Sequence, residues 1–370
     1  MSCDYHLLPH PGIQTLAPYI PGKSAEELAQ EQGIKDIIKL ASNENPLGCS
    51  PRVLEVLSNI SGTRIATYPA AANHPLRHKL AEKLSIDSEM ITLGNGSDVL
   101  FSLMMTCFAL HRNKEILVHD QSFIAYRVFA KTLGIPVIST PLKPNWEVDI
   151  DAMIHACHEK TALIFIPNPN NPTGLLLEPA EIKKLLNHIP DSTILVLDEA
   201  YYEYVSHPEY QNSTTLLSEH PNLIITRTFS KAYGMAGLRL GYAIANKEIT
   251  AILQRANPPF TVNQAALVAA IAALDDDEFI KKSVSMNQDG LNDLKHGLDN
   301  LGIGYLPTAG NFITMDCKTD AGPLYEALQR HGIIVRPLHP YGLNHYLRVT
   351  VGTEQQNHRF LDTLSTCLST

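Results

Sequence analysis

Short apolar runs alternate with helical patterns through the middle of the chain. Seven runs fit β-strands, namely Ile91–Leu93, Glu115–His119, Pro136–Thr140, Ala162–Ile166, Thr193–Leu197, Leu223–Thr226 and Leu240–Ala245. Several are almost continuously apolar, which is typical of strands buried on both faces of a sheet. The alternation predicts an α/β fold with a largely parallel sheet. Polar residues just beyond the carboxyl ends of its strands are where a functional site is expected.

The two ends of the chain follow other patterns. Residues 1–30 contain repeated prolines and glycines, which predict an N-terminal arm that is either frayed or laid across a partner subunit. From residue 263 to about 297 a long helical pattern is interrupted only by the acidic stretch Asp275–Glu278. The remaining residues predict a smaller α+β domain, with elements at Phe312–Met315, Ala321–Arg330, Ile333–Arg336, Tyr346–Val351 and Gln355–Cys367.

These patterns divide the chain into three parts. We predict an arm over residues 1–30, a large α/β domain over 61–262, and a small α+β domain formed by 31–60 together with 263–370. A chain of 370 residues is long enough for two domains with ordinary cores.

Composition and charge exclude several classes of protein. A hydrophobic content of 44% and a charged content of 18% are typical of a soluble globular protein. The net charge of -9, without any basic run, argues against binding to nucleic acid. No apolar stretch reaches the roughly 20 residues that a membrane helix needs, and no signal peptide is visible. The six cysteines lack Cys-x-x-Cys spacing, so we expect reduced thiols, a cytoplasmic location and no metal site.

Polar stretches follow five of the predicted strands. They are Gly94–Asp98, Asp120–Phe123, Pro167–Gly174, Asp198–Tyr201 and Arg227–Gly241. In the last of them, Lys231 follows Ser230 and precedes Arg239 in a Gly-rich turn. A lysine amine forms a Schiff base with a carbonyl, and hydroxyls with a guanidinium bind phosphate. Pyridoxal phosphate needs both, one at each end of the molecule, although a lone Ser-Lys pair is more often a solvated surface pair.

The other stretches offer partners for such a cofactor, and each also has an ordinary structural explanation. Gly96 and Ser97 open a helix whose N-terminus favours an anion. Phe123 is either a ring that stacks on a flat heterocycle or a core residue. Asn171 lies in a proline-rich turn, where its amide either donates to a phenolic oxygen or only forms the turn. Asp198 is either the partner of a protonated pyridine nitrogen or a helix N-cap.

The motifs together resemble a known family. Asn171-Pro172-Thr173-Gly174, Asp198-Glu199-Ala200-Tyr201, Ser230-Lys231 and Arg239 have the order and spacing of the fold-type I pyridoxal-phosphate aminotransferases. Other stretches are similar to the histidinol-phosphate aminotransferase branch, namely Pro18–Lys23, Leu40–Gly48, Tyr68-Pro69, Gly310–Phe312, Ile334–Arg336 and Leu347–Thr353. The resemblance runs from about residue 13 to 360. It implies a mixed, mostly parallel seven-stranded sheet with helices on both faces, a smaller α+β domain and a homodimer.

The resemblance also implies roles for single residues. Lys231 would tether the cofactor and move the proton, Asp198 would pair with the ring nitrogen, and Tyr201 would hold the ring oxygen and lower the pKa of the cofactor's imine. The other implied cofactor contacts are Asn171 at the ring oxygen, Phe123 on the ring face, Gly96, Ser97, Asp98, Thr228, Ser230 and Arg239 at the phosphate, and Tyr68 reaching the phosphate from the partner subunit.

The substrate implied by the resemblance is a phosphate ester. Arg336 and Arg348 form a pair that suits a phosphate better than one arginine does, although Arg336 could instead form a surface ion pair. Tyr19, from the partner's arm, and Asn43 are further expected substrate contacts. The implied reaction is ping-pong transfer of an amino group from L-histidinol phosphate to 2-oxoglutarate, giving imidazole-acetol phosphate and glutamate in histidine biosynthesis.

Two alternatives are compatible with parts of this pattern. Close relatives of the family include aromatic amino-acid aminotransferases and decarboxylases that act on threonine phosphate. A catalytically silent, ligand-binding descendant of the fold is a different class of protein, but such proteins often lack the lysine, and this chain retains Lys231, Asp198 and Arg239.

Overall fold

The computed structural model describes residues 4–17, 23–70, 74–206, 210 and 212–369. The strands in these ranges are β1 (Ile38–Lys39), β2 (Ile91–Gly94), β3 (Glu115–His119), β4 (Val137–Thr140), β5 (Thr161–Pro167), β6 (Ile194–Asp198), β7 (Leu223–Thr228), β8 (Gly241–Ala245), β9 (Gly304–Tyr305), β10 (Phe312–Asp316), β11 (Ile333–Ile334), β12 (Arg336–Leu338) and β13 (Leu343–Thr350). The helices are α1 (Pro11–Gln14), α2 (Ala25–Gln32), α3 (Pro51–Ser58), α4 (Gly62–Ala66), α5 (Pro75–Leu84), α6 (Ser97–Phe108), α7 (Ala125–Leu133), α8 (Ile150–Ala156), α9 (Pro179–His188), α10 (Lys247–Ala256), α11 (Gln264–Leu274), α12 (Asp277–Asn300), α13 (Ala321–Arg330) and α14 (Glu354–Leu368).

The seven predicted strands form one sheet in the order β2-β8-β7-β6-β5-β3-β4. All neighbouring pairs are parallel except the two that involve β8, which runs antiparallel to both β2 and β7. The loop from β7 to β8 contains a 3-10 turn, Ala236–Leu238, and no crossover helix. Because a parallel return usually requires such a helix, the chain comes back alongside β7 in the opposite direction. The predicted mixed, mostly parallel sheet is confirmed.

Side chains of the central strands alternate between two cores on opposite faces of the sheet. Ile116 of β3 packs with α6 and α7 through residues such as Phe101 and Tyr126. Leu117, the next residue, enters the other core with α8 and α9, where it meets Met153 and Leu185 among others. Helices on both faces are therefore confirmed.

A second, antiparallel sheet has the order β12-β13-β10-β9, and β1 pairs in parallel with β11 beside it. Its core is filled by α12, α13 and α14 through residues such as Leu294, Leu328 and Phe360. The predicted strand Ile333–Arg336 is divided, because Val335 separates β11 from β12 and each of them pairs with a different strand. The smaller α+β unit is present as expected.

The packing of α3 and α11 differs from the predicted domain boundaries. Val53 of α3 and Ala266, Ala270 and Leu274 of α11 belong to the core of the seven-stranded sheet, whereas the prediction placed both helices in the small domain. Helix α11 is alanine-rich and apolar on all sides, which allows α3 and α5 to pack closely against it. The small-sheet core draws instead on residues 38–40 and on residues beyond 290.

Part of the N-terminal arm lies on the chain's own large sheet domain. Helix α1 packs against α7, and a Cβ on Gly12 would lie 2.1 Å from the carbonyl oxygen of Lys131. Only a residue without a side chain allows this approach. Tyr19, the predicted substrate contact in the arm, lies outside the described residues.

Candidate active site

The carboxyl ends of β5, β6 and β7 and the face of the small sheet enclose a cavity of about 230 Å³. Most of the predicted site residues line it, namely Asn43, Ser97, Asp98, Phe123, Asn171, Asp198, Tyr201, Thr228, Ser230, Lys231, Arg239, Arg336 and Arg348. Gly96 lies directly behind the lining. Tyr68 is not part of the lining: its ring is 81% exposed and stacks on Phe260 with 4.5 Å between ring centroids.

Asp198, at the end of β6, is a buried carboxylate that receives only neutral donors. The Tyr126 hydroxyl donates to Oδ2 at 2.7 Å, and the Thr226 hydroxyl donates to Oδ1 at 3.0 Å. Among the described residues no basic side chain forms an ion pair with it. Burial raises the pKa of Asp198 to about 6, against the lowering effect of the two hydroxyls. A buried carboxylate of this kind is stabilised by a cation from outside the chain.

Lys231 is partly buried and reaches the same cavity from the turn after β7. Its ammonium group donates to the Ser42 carbonyl at 3.2 Å and lies 5.8 Å from the centroid of the Tyr201 ring. Burial, followed by the positive charge of Arg348, lowers the pKa of Lys231 to about 8. More of this amine is therefore unprotonated near neutral pH than in an ordinary lysine, and the unprotonated form is the nucleophile for a carbonyl group.

A cradle for an anion lies at the N-terminus of α6. Gly96 is the N-cap with φ +90°, and no side chain caps the helix, so its first N–H groups face the cavity. A Cβ on Gly96 would lie 2.5 Å from Nη2 of Arg239, and a Cβ on Gly241 would lie 2.4 Å from the Ser97 nitrogen. Because these two glycines have no side chains, the guanidinium of Arg239 and the N-terminus of α6 can lie close together.

Arg239 reaches this cradle from a left-handed backbone conformation, with φ +57°. It forms an ion pair with Asp98 at 2.9 Å between Nη2 and Oδ1. Thr228 accepts from the Ser230 N–H at 3.1 Å, which fixes two hydroxyl-bearing residues beside the guanidinium. The arrangement can bind a phosphate, with Asp98 orienting the arginine.

Two side chains at the centre of the cavity have a fixed hydrogen-bond direction. Arg348 donates through Nη1 to Oδ1 of Asn171, so the amide nitrogen of Asn171 is left as a donor. Asn43 donates through Nδ2 to the Tyr201 hydroxyl oxygen at 2.8 Å. Phe123 lines the same cavity and meets the Tyr126 ring edge-on, with centroids 5.6 Å apart.

Several residues of the site were not predicted from the sequence. Tyr126 and Thr226 hold Asp198, while Ser42 and Tyr341 line the cavity. Tyr126 occupies the first turn of α7, three residues after Phe123, and only the packing of α7 against the sheet brings it to β6. Thr226 is the register partner of Asp198 in the pair β6–β7, so correct strand pairing would have identified it.

The residues present fit pyridoxal phosphate. The buried carboxylate without a cation matches a pyridinium nitrogen, the amine of Lys231 matches a carbonyl, and the cradle at Gly96 and Arg239 matches a phosphate. In the ranges that the structure covers, no group of three or more His, Cys, Asp or Glu could hold a metal ion.

Comparison with known proteins establishes the family. Residues 35–364 match the family model described as aminotransferase class I and II. The chain belongs to this family. The aminotransferase is 56% identical over 364 residues to a Legionella pneumophila (strain Lens) protein named histidinol-phosphate aminotransferase 2, and the match covers 98% of this chain and 99% of that protein.

Solved structures agree with this membership. A histidinol-phosphate aminotransferase from Sinorhizobium meliloti, in complex with pyridoxal-5'-phosphate, is 26% identical with a TM-score of 0.89, and the match covers 98% of each chain. An L-threonine-O-3-phosphate decarboxylase from Porphyromonas gingivalis is also 26% identical, with a TM-score of 0.79 over 90% of this chain and 100% of the other. The chain is thus a pyridoxal-phosphate-dependent aminotransferase with the fold-type I architecture.

Proposed function

We propose that this aminotransferase moves an amino group between L-histidinol phosphate and 2-oxoglutarate, giving imidazole-acetol phosphate and glutamate in histidine biosynthesis. Relatives that cover the full chain and bear the name histidinol-phosphate aminotransferase support this substrate. The observation that carries the proposal is the pairing of two arginines at the substrate end of the cavity.

Arg336 and Arg348 stand directly opposite each other on the antiparallel strands β12 and β13. Both side chains line the cavity. Like charges in such cross-strand positions are destabilising, so the pair favours an anion that lies between them. A phosphate monoester carries roughly -1.5 to -2 charge at neutral pH and matches two guanidinium groups better than a single carboxylate does.

The charge of the whole cavity supports an anionic substrate. Its lining contains four basic side chains, Lys231, Arg239, Arg336 and Arg348, and two acidic ones, Asp98 and Asp198. Arg239 and Asp98 neutralise each other at the cofactor end, and Asp198 faces the ring position. The lining as a whole therefore carries more basic than acidic side chains.

The cofactor and the residues of the chain would each contribute part of the chemistry of the reaction. Pyridoxal phosphate supplies an electron-accepting ring that stabilises negative charge on the substrate carbon. Asp198 would hold the ring nitrogen in its protonated state, and the amide of Asn171 and the hydroxyl of Tyr201 would donate to the ring oxygen. The amine of Lys231 would hold the cofactor and, when free, would be the group that moves the proton at the substrate carbon. The two half-reactions alternate in the same cavity, so ping-pong kinetics are expected.

We also propose that the active form is a homodimer. Large apolar side chains are exposed on the large sheet domain, among them Leu54, Ile65, Tyr68 and Phe260, and the last two stack on each other. Exposed apolar groups of this kind mark interaction surfaces. A second copy would cover them and would bring its Tyr68 towards the phosphate cradle. Analytical ultracentrifugation tests this point, and a monomer at micromolar concentration would contradict it.

A cytoplasmic location is part of the same proposal. No helix in the described ranges is long and apolar enough to cross a membrane. The five cysteines in those ranges are free thiols, as expected in a reducing compartment.

A substrate panel on the purified holoenzyme tests the function. L-histidinol phosphate, phenylalanine and threonine phosphate are compared by kcat/KM with 2-oxoglutarate as acceptor, and carbon dioxide release is measured for threonine phosphate. We expect histidinol phosphate to be preferred. A more than tenfold preference for phenylalanine, or carbon dioxide release from threonine phosphate as the main activity, would assign the enzyme to one of the alternative classes instead.

A further inference from the structure

Asn43 is held in an unusual conformation by a complete set of hydrogen bonds. It is buried and has a left-handed backbone, with φ +56°. Its N–H donates to the Thr350 hydroxyl at 2.9 Å, and its carbonyl oxygen accepts from Nδ2 of Asn311 at 3.0 Å. Asparagine adopts this region more readily than most other non-glycine residues, and here hydrogen bonds with two neighbouring side chains hold it there. These bonds fix the side-chain amide of Asn43 as well as its backbone.

Thr350 determines the orientation of the side-chain amide of Asn43. Its hydroxyl oxygen already accepts from the Asn43 N–H, so its own proton goes to Oδ1 of Asn43, at 3.1 Å. The amide nitrogen then lies on the opposite side, where it donates to the Tyr201 hydroxyl oxygen at 2.8 Å. If the amide were reversed, Thr350 would face a second donor and would lose the acceptor for its proton.

The direction of the last bond determines what Tyr201 can do. Because an amide N–H can only donate, the phenol oxygen acts as the acceptor in this pair. The phenol proton has no acceptor among the described residues, and Tyr201 lines the cavity, so this proton is available to a group that is bound there. The face of the small sheet that carries Thr350 also carries Phe312, whose ring packs edge-on against Tyr201 at 5.3 Å.

We propose that Thr350 is a positioning residue that acts through Asn43 and makes Tyr201 a hydrogen-bond donor towards the cavity. The inference rests on the proposed function insofar as the bound group is the ring oxygen of pyridoxal phosphate. It assigns Asn43 to the support of Tyr201, a role separate from the direct substrate contact that the sequence predicts. It also joins the small sheet to the cofactor end of the cavity through side chains alone.

The first test uses the enzyme without cofactor. Tyrosine labelled with ¹³C at Cζ reports the hydrogen bonding of each phenol, and Tyr201→Phe identifies the Tyr201 resonance. We expect Thr350→Val to shift that resonance, because the Asn43 amide is free to turn and accept from the phenol. Thr350→Ser keeps the hydroxyl and should leave the resonance unchanged. Thr193→Val is the matched control. Thr193 is also a buried threonine, but its hydroxyl donates to the carbonyl of Thr161, which is not a residue of the site.

The second test uses the holoenzyme and the pH midpoint of the visible absorbance of the bound cofactor. A donor to the ring oxygen stabilises the deprotonated form of the cofactor, so its loss raises the midpoint. We expect Thr350→Val to raise it by roughly 0.5–1 pH unit, equivalent to one hydrogen bond of about 1 kcal/mol. In a Tyr201→Phe background the same substitution should have no further effect.

The outcomes separate this inference from the proposed function. An unchanged Tyr201 resonance in Thr350→Val, or equal shifts of the midpoint with and without the Tyr201 hydroxyl, would overturn the role of Thr350. Neither result would bear on the substrate. A wild-type enzyme that shows the Tyr201 effects but does not transaminate histidinol phosphate would retain the positioning role and refute the substrate.

Discussion

Asp198 and Glu199 are adjacent in the chain, and both are buried, yet their partners differ. Glu199 forms an ion pair with Arg227, with 2.9 Å between Arg227 Nε and Glu199 Oε2, and also accepts from the hydroxyls of Tyr210 and Ser213. Asp198, at the end of β6, accepts from the hydroxyls of Tyr126 and Thr226 and from the Ala200 N–H. Among the described residues, Glu199 thus has a cation as its partner, whereas Asp198 has only neutral donors.

The contrast shows how structural and functional charges can be distinguished. A buried carboxylate with its own arginine is a closed network that stabilises the fold only when it is complete. A buried carboxylate with neutral donors keeps a raised pKa and gains a cation only when the cofactor binds. Burial alone does not distinguish a structural carboxylate from a functional one, whereas the set of hydrogen-bond and ion-pair partners does.

The largest effect should come from the amine that faces Asp198 across the cavity. Lys231→Ala removes the tether and the base, and we expect kcat to fall by about 10²–10⁴-fold or more. The variant should still bind pyridoxal phosphate through the phosphate cradle, which fluorescence titration can measure. Lys184→Ala, on the surface ion pair with Asp151, is the control. Activity near that of the wild type would remove Lys231 from the mechanism.

Substitution of the two carboxylates sharpens the comparison directly. Glu199→Gln breaks a buried ion pair and should destabilise the cofactor-free protein by about 3–5 kcal/mol in the free energy of unfolding. Asp198→Asn removes a charge that has no cation, so the same protein should be equally stable or more stable, while the activity of the holoenzyme falls. Urea unfolding of both variants gives the two values. Equal destabilisation by the two substitutions would contradict the assignment of Glu199 to the fold and of Asp198 to the site.

The arginines of the small sheet should show a smaller and selective effect. Arg336→Ala should reduce kcat/KM for phosphate-bearing substrates by roughly 10–100-fold, the equivalent of a charge-assisted hydrogen bond of about 1.5–3 kcal/mol. Substrates with only a carboxylate should lose much less, and Arg330→Ala, on the exposed end of α13, should change neither. Equal losses for both substrate types would argue against a phosphate pocket.

The pH dependence of cofactor loading gives the smallest effect. The neutral amine of Lys231 is the reactive form, and its pKa is lowered to about 8 by burial and by Arg348. The rate of covalent capture of pyridoxal phosphate should therefore rise with pH, by up to about tenfold per unit below pH 8, and level off above it. Arg348→Gln removes a positive charge and should move the midpoint to higher pH. A midpoint near the ordinary pKa of lysine would show that neither burial nor Arg348 activates the amine.

The order of motifs along the chain was sufficient to predict which strand-end residues line one cavity. Each strand of a parallel sheet delivers the residues that follow it to one edge, so Asn171, Asp198 and Lys231 could be brought together without knowledge of the packing. Thr226, Tyr126 and Thr350 could not, because their roles depend on strand register and on how the two sheets meet. The same holds for α11: an apolar helix indicates burial, and only the structure shows in which core it lies.

The arginines proposed to bind the substrate's anionic group and the lysine proposed to hold the cofactor lie on different sheets. Arg336 and Arg348 belong to the small antiparallel sheet, while Lys231 extends from the large one. A substrate whose amine reacts at the cofactor while its anionic group lies between the arginines would need a matching length between these two groups. Under the proposed function, the separation of the two sheets would therefore select substrates by length as well as by charge.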